Sequence, residues 1–102
     1  MKLPIKLRDQ DVQIQIFSDE SEQIVMVGTD PFRVRMLPND EAYFMVKIRG
    51  QQRTIRGPYQ KVLEAVVRCW DVYKRYENVV RKSKENAQMT RDKDLNEIAE
   101  SV

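Results

Sequence analysis

The chain contains no histidine, which removes the commonest general base, the commonest metal ligand and every Ser/His or Cys/His nucleophile pair. Its one cysteine, Cys69, excludes an internal disulfide framework. The three glycines, Gly28, Gly50 and Gly57, are too dispersed for a phosphate-cradling loop or a dinucleotide fingerprint. No apolar run approaches the roughly 18 residues of a membrane span, and Met1-Lys2-Leu3-Pro4 lacks the apolar stretch of a signal peptide. These absences argue against hydrolysis, nucleotide-driven catalysis and membrane insertion. The expectation is a non-enzymatic, cytoplasmic protein that needs no cofactor and no metal.

What is present is a chain of 102 residues, enough for one hydrophobic core, with a third of its residues charged. Asp11 to Phe17 alternates, with Val12, Ile14 and Ile16 on one face and Gln13 and Gln15 on the other. Ser18-Asp19-Glu20-Ser21 is turn chemistry, and Gln23 to Val27 supplies the second strand of a hairpin. Phe32, Val34 and Met36 alternate with Arg33 and Arg35 in a third strand. After Pro38-Asn39-Asp40-Glu41, a fourth strand places Phe44, Val46 and Ile48 opposite Tyr43, Met45, Lys47 and Arg49. A turn at Gly50-Gln51-Gln52 leads to a short fifth strand, Arg53 to Arg56, closed by Gly57-Pro58. From Gln60 the period changes. Val62, Leu63, Val66, Cys69, Trp70, Tyr73 and Tyr76 recur at steps of three and four, which predicts a long amphipathic helix to about Lys84. The fold class expected is therefore α+β: an antiparallel meander of about five strands covered on one face by one long helix. Residues 1–84 form the domain. Residues 85–102 are expected to be a polar tail, with Leu95, Ile98, Ala99 and Val102 spaced for a short helix that folds on contact.

Charge is segregated along the chain. Residues 31–84 hold thirteen Lys/Arg against five Asp/Glu, whereas residues 1–30 hold three against six and residues 85–102 two against five. On the helix, Lys61, Glu64, Arg68, Asp71 and Arg75 mix both signs at steps of three and four, as an ordinary solvated face does. In the last three strands Arg33, Arg35, Lys47, Arg49, Arg53 and Arg56 have hardly an acid among them. Two readings stand for this face: plain solvation, as for any scattered Lys and Arg, or, because mutual repulsion is costly, a polyanionic partner. Tyr43 shares the outward face, where it can serve a nucleic-acid surface or pack across strands on Arg35 or Met45. Trp70, Tyr73 and Cys69 fall in the apolar stripe and are expected in the core.

The run Tyr43-Phe44-Met45-Val46-Lys47-Ile48-Arg49-Gly50, with Arg53-Thr54-Ile55-Arg56-Gly57-Pro58-Tyr59 and Val62-Leu63-Glu64-Ala65-Val66, resembles the Apetala-type DNA-binding domain and the related arm-binding domain of phage integrases. The resemblance spans Phe32 to Tyr76. It implies a three-stranded sheet backed by one helix and laid in the DNA major groove, in a regulator of phage or mobile-element type. Arg33, Arg35, Tyr43, Lys47 and Arg56 would then stand where that family meets bases and phosphates. The family's tryptophan-rich second strand is represented here by Tyr43 and Met45, and a hairpin precedes the sheet. Two functions stay open. One is a nucleic-acid binder, DNA before RNA, using the basic outer face of the sheet. The other is a protein-interaction or inhibitor module docking through the acidic hairpin at Asp19, Glu20 and Glu22 or through a C-terminal helix. The oligomeric state is open, a dimer included.

Overall fold

Alternation and period translate directly into two layers. A computed structural model describes residues 1–19, 22–82 and 84–102, with their side chains except those of 78–88. Of the expected turn Ser18-Asp19-Glu20-Ser21, Ser18 and Asp19 belong to β2, and Glu20 and Ser21, like Ser83, lie outside the described residues. The elements are β1 (Lys2–Leu7), β2 (Gln10–Asp19), β3 (Glu22–Val27), β4 (Asp30–Leu37), β5 (Glu41–Ile48), β6 (Gln51–Pro58), α1 (Tyr59–Lys82) and α2 (Lys84–Glu100). The fold is α+β, with the six strands in one antiparallel sheet in the order of the chain.

The sheet thus has one strand more than the sequence pattern predicts. β1 pairs with β2 through Leu3 with Ile14 and Ile5 with Val12, so Leu3, Ile5 and Leu7 join the core face. Pro4 has no N–H and argues against a strand, yet β1 is an edge strand, where a missing donor is tolerated. Met1 lengthens this ladder: its amino group donates to Ile16 O at 3.0 Å and its carbonyl accepts from Ile16 N at 2.7 Å.

Along every strand one parity is buried. Ile14 and Ile16, Val25 and Val27, Val34, Phe44 and Val46, and Ile55 all face the helices. Both edge strands, β1 and β6, touch α1, so the sheet curls around that helix and its outer face is convex. The joint between β4 and β5 is narrow, with Arg35 against Tyr43, Met36 against Ala42 and Leu37 against Glu41. The neighbouring β5–β6 ladder runs the full length from Glu41/Pro58 to Ile48/Gln51.

α1 begins directly after Pro58, and the Tyr59 N–H, which has no intrahelical acceptor, donates to Asp40 O at 2.8 Å in the β4–β5 turn. Its stripe buries Val62, Leu63, Val66 and Cys69, and Trp70 and Tyr73 are half-buried at the margin of the core. Residues 85–102, expected as a polar tail with a short helix on contact, instead lie almost wholly in the helix α2 (Lys84–Glu100). Leu95 and Ile98 are buried in the same core as the sheet. The expected spacing of these residues is correct, but their partners come from distant strands and from α1, which a local pattern does not reveal.

Candidate nucleic-acid interface

The unburied parity of β4, β5 and β6 forms the outer face. Register brings Arg35 opposite Tyr43, and Tyr43 opposite Arg56, in one row across three strands. Neighbouring strands lie about 4.8 Å apart, so the two arginine backbones are roughly 10 Å from each other with the phenol between them. Arg33 stands two residues along β4 from Arg35, and Lys47 farther along β5, opposite Gln52. Of the expected residues, the structure gathers Arg33, Arg35, Tyr43, Lys47 and Arg56 on this face.

Arg49 and Arg53 do not join them. Arg49 has φ 54 and Gly50 φ 77, so these two residues are the tight β5–β6 turn, and Gln51 and Gln52 already belong to β6. Two-residue hairpin turns favour positive φ at both positions. That geometry lifts Arg49 off the strand. Arg53 has the parity of Ile55 and pairs with buried Val46, which turns it toward the helices, where its guanidinium donates to Asn96 Oδ1 of α2. Turn geometry thus removes the first from the outer face, and parity removes the second.

Carboxylates are present on the face. Glu22 lies 3.6 Å from Arg33 and Glu41 accepts from Arg56 at 3.1 Å. Both pairs are solvent-exposed, where an ion pair contributes about 0–1 kcal/mol. Arg35 and Lys47 form no ion pair among the described residues, although Glu22 is the cross-strand neighbour of Arg35 on β3. Beside the row stand two exposed apolar side chains, Met45 at 52% and Phe17 at 51%, the latter opposite Ile24 on β3. Phe17 is missed by the alternation because turn residues follow it directly in the sequence. Its parity with Gln13 and Gln15 is the signal that marks it as outward.

Other expected roles are chemically quiet. Cys69 is buried, and burial pushes its thiol up to about 12 against the opposing charge of Arg68, so it stays protonated. Among the described residues no cluster of three His, Cys, Asp or Glu is arranged to hold a metal, and no helix is long and apolar enough to cross a membrane. Comparison with protein-family models, curated proteins and solved structures gave no match.

Proposed function

We propose that the chain binds nucleic acid, duplex DNA before RNA, through the outer face of β4–β6, and that it does so without catalysis. The observation that carries this reading is the row Arg35, Tyr43, Arg56, with a phenol flanked by two guanidiniums on an uncovered sheet. Arginines on either side can neutralise phosphates, and an arginine directed into the major groove can hydrogen-bond a guanine edge. Tyr43 supplies a flat surface beside them. The resemblance to sheet-type DNA-binding domains covers these strands and adds to the proposal.

Binding to a labelled duplex, measured by fluorescence anisotropy across a salt series, tests it. Affinity should fall steeply as salt rises, with a log-log slope of about −0.9 per phosphate neutralised. Replacing Arg35 and Lys47 by Ala should weaken binding to every duplex and flatten that slope by about 1 for each phosphate contact removed. Lys61→Ala with Arg75→Ala removes the same charge from the helix side and should have a much smaller effect. Equal losses would mean a response to net charge alone, and no salt dependence would end the proposal.

A second reading, a protein-docking module, is favoured by one observation: Phe17 is exposed beside Ile24, next to the acidic pair Asp19 and Glu22 where β2 meets β3. Of that acidic hairpin, Glu20 lies outside the described residues. Phe17→Ser should leave DNA binding unchanged under the first reading and abolish partner binding under the second.

A further inference from the structure

On the helix side of the molecule, the start of β4, the stretch Trp70 to Glu77 of α1 and Arg91 in the middle of α2 border an open cleft of about 400 Å³. Its walls carry four aromatic rings, those of Phe32, Trp70, Tyr73 and Tyr76. This volume lies at the low end of the range usual for small-molecule sites, and an aromatic lining with few polar groups is their usual composition. The cleft shares no residue with the row Arg35, Tyr43, Arg56, so a ligand bound here is independent of the proposed function.

Most polar groups in the cleft are already engaged. Asp30 accepts from Trp70 Nε1 at 2.9 Å and lies 3.2 Å from Lys74 Nζ, which also approaches Glu77 at 3.8 Å. The Tyr76 hydroxyl donates to Asp94 at 2.9 Å. Two donors remain unengaged. The Arg91 side chain is only 24% exposed and its Nε–H is buried without an acceptor; its Nη2 forms a long ion pair with the buried Asp92, whose Oδ1 stands 3.7 Å away and itself has no hydrogen-bond donor. The Tyr73 hydroxyl likewise has no hydrogen-bond partner among the described residues. Burial, with Cys69 and Asp92, raises the Tyr73 phenol above its ordinary pKa while the nearby Arg91 charge opposes that rise, so Tyr73, Arg91 and Asp92 share one environment.

A largely buried guanidinium whose Nε–H has no acceptor and whose one ion pair, to Asp92, is longer than a hydrogen bond is costly, and an oxyanion that supplies acceptors relieves that cost. Both carboxylates in the cleft are meanwhile held by Lys74, so a cationic ligand would have to displace it. We propose that this cleft binds a small planar aromatic carboxylate, its ring among Phe32, Trp70 and Tyr76 and its carboxylate on the Arg91 guanidinium, the Nε–H included, and the hydroxyl of Tyr73.

Naphthalene-2-carboxylate is a suitable probe, with naphthalene-2-methanol and 2-naphthylmethylammonium as neutral and cationic counterparts. Calorimetry should show the carboxylate binding saturably, one per chain, and both counterparts binding at least about tenfold more weakly. Trp70 is the only tryptophan of the chain, so its emission should change over the same titration. Arg91→Met should weaken the carboxylate at least about tenfold and leave the alcohol unchanged, and Tyr73→Phe should weaken it less. Should Arg91→Met fail to fold, Arg91→Lys, which keeps the charge but loses the planar fork, should still bind measurably less well than the unaltered chain. Equal binding of the three naphthalenes, preference for the cation, absence of binding, or indifference to every Arg91 variant that folds would each overturn the proposal.

Discussion

The two helices lie against the same core and are attached to it by different means. α1 is held by a continuous apolar stripe in which Val62, Leu63, Val66, Val67 and Cys69 are all buried. Among its described side chains α2 fully buries two large apolar ones, Leu95 and Ile98, with Ala99 packed beside them, and adds polar contacts: Tyr76 to Asp94, Arg53 to Asn96 and Arg68 to Ser101 just beyond its end. A helix of the first kind announces itself in its own periodicity. One of the second kind is defined by what it lands on.

Removing α2 gives the strongest test of that contrast. Truncation after Lys84 strips Leu95 and Ile98 from the core, and with Leu→Ala or Ile→Ala losses of about 2–5 kcal/mol each, the chain should lose at least about 4 kcal/mol. That corresponds to a fall in Tm of more than roughly 15 °C for a domain of this size. An unchanged Tm would make α2 an ornament. A finer test compares Leu63→Ala with Leu95→Ala. Both side chains are fully buried, and chemical denaturation should show each costing about 2–5 kcal/mol. A much smaller cost at Leu95 would mean that α2 collapses easily into the space left behind.

Gly57→Ala addresses the seat of the C-terminal residue. A Cβ there would lie 2.7 Å from Val102 Cγ1, so the Val102 side chain must shift, and a loss of about 1 kcal/mol is expected. A cost above about 3 kcal/mol would show that Val102 is rigidly held. The smallest effect belongs to Tyr76→Phe, which removes the hydrogen bond to Asp94 and should cost about 0.5–1.5 kcal/mol. This difference depends on pH. The bond to Asp94 comes first among the causes that raise the Tyr76 phenol above its ordinary value. A folded pKa above the unfolded one stabilises the fold below pH ~10, and that stabilisation is lost as pH rises through the folded value. The stabilities of the two proteins should therefore converge in alkaline solution, and a constant difference would assign the effect to packing.

Where two physical signals coincide, the elements are legible before folding. β2, β4 and β5 alternate cleanly and are bounded by turn residues, and α1 carries a stripe uninterrupted by Gly or Pro. β1 escapes because Pro4 masks an otherwise regular alternation of Leu3, Ile5 and Leu7, and its tolerance depends on an edge position that exists only in the sheet. The outer face is legible as far as parity is applied. Arg33, Arg35, Tyr43, Lys47 and Arg56 follow from alternation, whereas Arg53 follows the same rule to the opposite face and Arg49 is displaced by the turn. The Arg35, Tyr43, Arg56 row requires cross-strand register, which no single strand encodes. The aromatic cleft is hidden for a related reason: Trp70 and Tyr73 look like core residues, and only the approach of Arg91 from α2 leaves a space beside them.

A sheet whose spatial order equals its chain order also has a kinetic meaning. Each hairpin closes a short loop, so five successive pairings form at low entropic cost, and the low contact order favours rapid folding for an antiparallel sheet of this size. Among the larger element contacts, the one that carries α1 back to β1 is a long closure. Contacts made at that step form late. Shortening Ile5 to Val should then accelerate unfolding while leaving the folding rate nearly unchanged, whereas shortening Ile55, in the strand just before α1, should slow folding itself.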